Sequence, residues 1–187
     1  MIGRSHIVLG VACAITASSM GYVPLTFASL GAAALGSLAP DLDTERSLLG
    51  CRMVWLSRPI SRLFGHRTVT HSLFVPLLTG GVLAHYSGIG GLRSAWGAFL
   101  IGYISHILAD LMTGGCWALY PLSRNRVSLW PYAKTGSMRE YLLLISSLGL
   151  LSCVTYHYLS RQLPQSGQKL HHSAFIALTR PGDYEQL

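Results

Sequence analysis

Charge is what this chain has least of. Asp, Glu, Lys and Arg make up 11% of its 187 residues, against roughly 25% in an ordinary soluble domain. From Ser5 to Pro40 there is none of the four. Half of the residues are apolar and the mean hydropathy is +0.41, so the charges are too few to cover a soluble globule. Cysteine is scarce as well. The four thiols, Cys13, Cys51, Cys116 and Cys153, form no Cys-x-x-Cys pair. Cys13 and Cys153 fall inside apolar runs, which argues against a disulfide framework, and Cys51 and Cys116 read as inert. The first apolar run follows a single Arg4 and outlasts a signal core, so it reads as retained. The class is an integral membrane protein of about one domain.

The apolar residues fall into four to five segments. Ile7 to Met20 is broken by Gly21-Tyr22-Val23-Pro24, and Leu25 to Ala39 ends at Pro40. Helices of these lengths reach ~21–23 Å, short of the ~30 Å hydrocarbon core. The pair is either two thin spans or a re-entrant hairpin, and both return the chain to its starting side. Further segments run from about His71 to Tyr86, Ser94 to Met112 and Tyr141 to Ser160. Between the second and third, Arg46, Arg52, Arg58, Arg62 and Arg67 alternate with Leu48, Trp55, Ile60 and Phe64, the pattern of a basic amphipathic segment on a membrane surface. The expected fold is all-α: a polytopic membrane helix bundle of four to five apolar segments with a surface amphipathic segment. Residues 1–160 form the embedded domain and 161–187 a polar C-terminal tail.

Net charge +7 would suggest nucleic acid in a soluble chain. Here the basic residues lie mostly in loops, where they set topology, and nucleic acid is not an expected partner. Ten of them fall on the face of the N-terminus and the long polar stretches, and four, Arg93, Arg161, Lys169 and Arg180, on the other. Short loops rich in Lys and Arg stay cytoplasmic. The expectation is a multi-pass protein of a bacterial inner membrane, its N-terminus and polar residues facing the cytoplasm.

Those polar residues are of metal-ligating type. His106 and Asp110, four apart in a helical run, project from one face, and intramembrane ionisable groups usually mark function. Read alone, the pair serves equally well as a His–Asp tie between helices. Asp41 and Asp43 follow Pro40, where two carboxylates make an ordinary polar cap; their alternation would also aim both inward while Leu42 packs. His71 opens the third segment, His66 lies five residues earlier, and His6 sits at the first membrane entry. All return to one membrane face, and their convergence favours a shared divalent cation. Imidazole and carboxylate ligands together suit zinc, with manganese and iron as alternatives. His85 lies ~21 Å further along its helix than His71 and belongs to the opposite face, as does His157; His171 and His172 fall in the tail.

The text Leu-Ala-Pro-Asp-Leu-Asp, Phe-Gly-His-Arg-Thr-Val-Thr-His-Ser-Leu and Gly-Tyr-Ile-Ser-His-Ile-Leu-Ala-Asp-Leu-Met-Thr resembles the YdjM family. These are LexA-regulated, inner-membrane-associated, predicted metal-dependent hydrolases. A weaker match covers Arg126 to Leu129 and Thr135 to Ser137, so the resemblance spans about residues 1–145. The chain departs from the pattern at Thr68, where the family often has Gly, and at Thr44-Glu45, where it often has His-Pro. The resemblance implies a hydrolase of the DNA-damage (SOS) response. The ligand order is also loosely similar to that of bacterial zinc-dependent phospholipase C, which implies a phosphoester substrate.

The reading is a membrane-bound metal-dependent hydrolase at the cytoplasmic face, acting on a phosphoester or lipid-linked ester. His6, Asp41, Asp43, His66, His71, His106 and Asp110 are its candidate metal ligands. Asp43 or Glu140 is the candidate general base. Arg67, Arg124 and Arg126 are candidates for holding an anionic substrate. The alternative is a non-enzymatic membrane stress-response protein with a structural metal or polar cluster. A transporter ranks last, because the ligands gather at one face rather than mid-membrane.

Overall fold

The computed structural model describes residues 1–65 and 67–179, with side chains described through residue 162. Six helices follow in order: α1 (Gly3–Ser19), α2 (Phe27–Gly36), α3 (Val54–Phe64), α4 (Phe74–Leu92), α5 (Ala95–Met112) and α6 (Met138–Thr179), with a 3-10 turn at Pro40–Asp43. No strand occurs among the described residues; one antiparallel bridge joins Cys116 to Val127 in the loop after α5. The all-helical expectation holds.

Local chemistry sets the ends of these helices. Gly21, at φ 80°, takes the left-handed conformation that closes α1, and the amides of Gly21 and Tyr22 turn back onto Ser18 and Ala17 carbonyls. Thr26 caps α2, its Oγ1 accepting from the Ser29 amide at 3.1 Å. Pro40 opens the 3-10 turn. α3 exposes Trp55, Leu63, Arg58 and Arg62, and Arg58 grips Glu45 with two bonds of 2.9 and 3.1 Å. This is the expected amphipathic segment, confined to eleven residues.

α5 is the hub: it packs on α1, α2 and α4, while α6 packs on α1. The α2–α5 crossing is very close. A Cβ on Gly36 would stand 2.0 Å from the Phe99 carbonyl oxygen, and one on Gly102 would stand 2.1 Å from that of Ala33. Small residues at a crossing let backbones approach and van der Waals contact hold them, as in membrane bundles.

The burial pattern is inverted relative to a water-soluble globule. Two clusters form the apolar core, an alanine-rich one of Ala14, Val23, Ala33 and Ala98 and a bulkier one of Tyr103, Ile107, Leu111, Cys116 and Ala118. His6, His71, His106, Asp43, Asp110 and Glu140 are fully buried, whereas Phe27, Leu77, Leu78, Ile89, Ile145 and Leu150 face outward. Exposed apolar surface on this scale marks contact with a partner or a membrane.

The number of spans needs correction. Among the described residues, two helices are long and apolar enough to cross a bilayer, Ala95–Met112 and Met138–Gln162, rather than four or five. α2 has ten residues, about 15 Å. α4 breaks its helical path at Gly88, at φ 61° and ψ −166°. The helix at the end of the chain continues past residue 160 to Thr179.

Candidate metal centre

Five elements meet at one end of the bundle: the start of α1, the turn after α2, the loop before α4, the end of α5 and the start of α6. On α5 the four-residue spacing puts His106 and Asp110 on one face, as the sequence requires, and their Nε2 and Oδ2 atoms lie 3.8 Å apart. From the loop before α4, His71 brings its Nε2 to 3.3 Å from His106 Nε2 and 3.4 Å from Asp110 Oδ2. Asp41 completes the group, its Oδ1 at 3.8 Å from His71 Nε2 and 3.7 Å from His106 Nε2. Five separations among these four atoms are 3.3–3.8 Å, and two overlapping groups, Asp41–His71–His106 and His6–His106–Asp110, each bring three ligand atoms within 4.8 Å of one another. Metal bonds of about 2.0–2.2 Å in tetrahedral geometry require edges of about 3.3–3.6 Å. The two shorter separations fall in that range and the other three lie just above it, so the imidazole and carboxylate donors present are of the type and near the spacing that would hold such a cation.

The far sides of the rings are fixed as well. The His106 Nδ1–H donates to the Ser37 carbonyl at 2.6 Å, which leaves Nε2 as the lone-pair nitrogen facing the group. His71 Nδ1 lies 3.1 Å from Thr70 Oγ1 and 3.4 Å from Asp43 Oδ2. The same Asp43 oxygen accepts from the Arg67 amide and the Thr70 hydroxyl, both at 2.7 Å. Tyr103 of α5 donates to the Thr70 carbonyl at 2.6 Å, pinning the loop that carries His71. Asp43 thus faces the back of His71 while Asp41 faces its front.

His6 stacks on His106 with ring centroids 3.6 Å apart and sets Nε2 at 3.3 Å from Asp110 Oδ1. The Met1 nitrogen donates to that oxygen at 2.7 Å and to Thr113 Oγ1 at 2.9 Å. Asp110 Oδ2 makes no hydrogen bond, although the Arg67 guanidinium pairs with it electrostatically at 3.1 Å. That is the condition expected of a buried carboxylate oxygen shaped for a cation. His66 lies outside the described residues.

The arginines divide. Arg67, held at φ 62°, sends its guanidinium along Gly114, where a Cβ would meet Nη1 at 2.8 Å. Arg126 reaches the same strip, donating from Nε to the Gly115 carbonyl at 3.3 Å. Arg124 is exposed two residues away. Glu140 is buried at the α1–α6 junction, its oxygens accepting from the Ile2 and Gly136 amides at 2.9 and 2.6 Å. Sequence reasoning missed the Ser37 carbonyl, which carries no side-chain signal. It also missed Thr70 as a partner of Asp43 and His71, although Thr70 adjoins His71 in the sequence.

Electrostatics follow from this packing. Burial disfavours the His71 imidazolium, but the Asp110 and Asp43 carboxylates beside the ring outweigh it and hold the group up to about 9. Burial is also the main influence on Asp41, raising its carboxyl above the ordinary value against the pull of His6 and His71.

Comparison with known proteins agrees with the motifs. The chain is 37% identical over 161 residues to the Bacillus subtilis (strain 168) uncharacterized protein YvsG, covering 85% of this chain and 96% of that one. It is 36% identical over 129 residues to inner membrane protein YdjM of Escherichia coli (strain K12), covering 65% of this chain and 66% of the relative. The Shigella flexneri YdjM matches to the same extent. No solved structure matches, so the likeness to phospholipase C rests on ligand order alone. The family model described as YdjM inner membrane protein matches residues 1–179. Asp41, His71, His106 and Asp110 all lie within that match, and the chain belongs to the YdjM family of inner membrane proteins.

Proposed function

We propose that this protein is a multi-pass inner-membrane, metal-dependent hydrolase whose site opens at the cytoplasmic face and acts on a phosphoester or lipid-linked ester. The observation that carries this reading is the convergence of Asp41, His71, His106 and Asp110, with ligand atoms 3.3–3.8 Å apart in five pairs. Zinc is the preferred cation for two imidazoles and two carboxylates, with manganese and iron as alternatives. When bound, the metal supplies a water of lowered pKa and polarises the scissile bond.

The chain's own residues do the rest. Ser37 and Asp43 orient the two imidazoles from behind. Asp41, at 16% side-chain exposure, and Arg67, at 23%, are the parts of the centre that reach the surface, and they mark the side of approach. Arg67 and Arg126 converge along Gly114 and Gly115, where two guanidinium groups suit the oxygens of a phosphate. Arg124, exposed in the same loop, is proposed to assist them. His6 braces His106 and shares Asp110. Glu140, with both oxygens accepting from amides, is placed as the clasp between α1 and α6. The outward apolar faces support embedding in lipid, and the ten-to-four distribution of basic residues supports the cytoplasmic side for the site.

A second reading has its own support. His6, His71, His106 and Asp110 are at most 1% exposed, as suits a closed, structural metal site. Elemental analysis followed by a phosphoester hydrolysis screen separates the two. The hydrolase reading expects bound metal and chelator-sensitive turnover that His106→Ala abolishes. Full chelator-sensitive turnover in His106→Ala, or metal without turnover on any ester, would overturn it.

A further inference from the structure

α6 packs on α1, and between α1, α5 and α6 lies a slot of about 400 Å³. Leu9 and Cys13 line it from α1, Ile101 and Leu108 from α5, and Leu143 and Leu150 from α6. Along α5 the lining extends from Ile101 to Met112, about 16 Å at 1.5 Å per residue. Of the hydroxyls in its wall, that of Ser105 is turned back onto the Gly102 carbonyl at 2.7 Å. The slot is thus apolar and runs beside two helices that can each cross a bilayer. A hydrocarbon chain suits such walls and asks for no hydrogen bonds.

Beside the slot the chemistry changes. Leu143 also belongs to a second hollow, at the start of α6, lined by Trp130, Tyr132 and Arg139. Trp130 is 91% exposed and Tyr132 54%. Trp and Tyr settle at headgroup level, and a basic side chain there attracts an anionic lipid. Apolar slot and cationic, aromatic hollow share Leu143 as a wall residue, which sets them side by side at the start of α6.

We propose that this slot is a binding site for an anionic phospholipid, with one acyl chain between α1, α5 and α6 and its phosphate at Arg139. The site rests on the membrane-embedded reading and not on hydrolysis. Met1 and Thr113 line the slot and are joined to Asp110 by the Met1 nitrogen, so an occupying chain abuts the wall behind the metal centre and stiffens it.

The test uses the full chain in phosphatidylcholine nanodiscs containing a trace of phosphatidylglycerol with a photoreactive group in its acyl chain, or the equivalent phosphatidylcholine probe. The expected crosslinks map to α1, α5 and α6 around Leu9, Leu108 and Leu150, and the anionic probe wins by about fivefold, the effect of one basic side chain. Arg139→Gln should remove that preference while keeping the crosslink positions. Ser147→Trp or Leu108→Trp should fill the slot and abolish the crosslinks. Far-UV circular dichroism and the thermal midpoint of each variant report that it has folded, and none of these readouts requires turnover or bound metal. Crosslinks spread equally over Phe27, Leu77 and Leu78 and indifferent to both Trp variants would mean ordinary boundary lipid. Chain-to-chain crosslinks through the slot would mean a second copy fills it. Either result overturns the proposal.

Discussion

His71 faces three carboxylates, Asp41, Asp43 and Asp110, and in metal-free protein its proton is what reconciles them. Its folded value of about 9 lies above the unfolded value of about 6.5. The stability it contributes is therefore complete below about pH 6.5 and is lost as pH rises through 9. Thermal unfolding of chelator-treated protein should show a falling midpoint across that window, and His71→Gln should flatten the profile. Metal and proton compete for the same nitrogen, so metal uptake at pH 7 should release a proton, measurable by dye or calorimetry in buffers of different ionisation enthalpy. Asp43→Asn keeps Asp41, His71, His106 and Asp110 but loosens His71, and affinity should fall by about 10–100-fold in a chelator competition. Much of this cluster was legible in the text. A spacing of four on a helix leaves little freedom, so His106 and Asp110 were placed by sequence alone. Asp-Leu-Asp was less so: alternation suggested that both acids point the same way. The 3-10 winding at Pro40–Asp43 turns about 120° per residue and carries Asp41 and Asp43 to opposite edges of one imidazole.

At the scale of elements, the α2–α5 crossing sets how near Ser37 comes to His106. Gly36→Ala and Gly102→Ala would each drive a methyl into a carbonyl at about 2 Å. The gain of up to ~1 kcal/mol in helix propensity should be outweighed by an overpacking cost of about 1–3 kcal/mol. Both variants should melt lower and retain less metal. Gly31→Ala and Gly149→Ala, whose methyls meet nothing within 4 Å, should be neutral or slightly stabilising, and the four compared in one detergent check the argument. None of this was readable beforehand, because a glycine at a contact and a glycine facing lipid look alike until the partner helix is in place. Span counting failed for a related reason. Apolar runs report burial in something apolar, whether lipid or neighbouring helices, and α2, at ten residues, buries Ser29, Ala33 and Gly36 against its neighbours without the length to cross.

For the whole molecule, the inverted burial pattern and the distribution of basic residues make a prediction about sidedness. Cys51 is exposed in the polar stretch before α3, on the face assigned to the cytoplasm. In intact spheroplasts it should resist an impermeant maleimide and become reactive after lysis, scored against a Cys51→Ser control. Reaction without lysis would reverse the topology. Architecture and chemistry also meet in a single backbone atom. The Ser37 carbonyl that accepts the His106 proton belongs to the C-cap of α2, so it is free to accept only because that helix stops there. Each residue added to a helix rotates the next carbonyl by about 100°. Were α2 to end one residue sooner or later, the oxygen would swing out of reach, and the tautomer of a candidate ligand would no longer be specified. The choice of which imidazole nitrogen meets a cation is thus written in the length of a ten-residue helix.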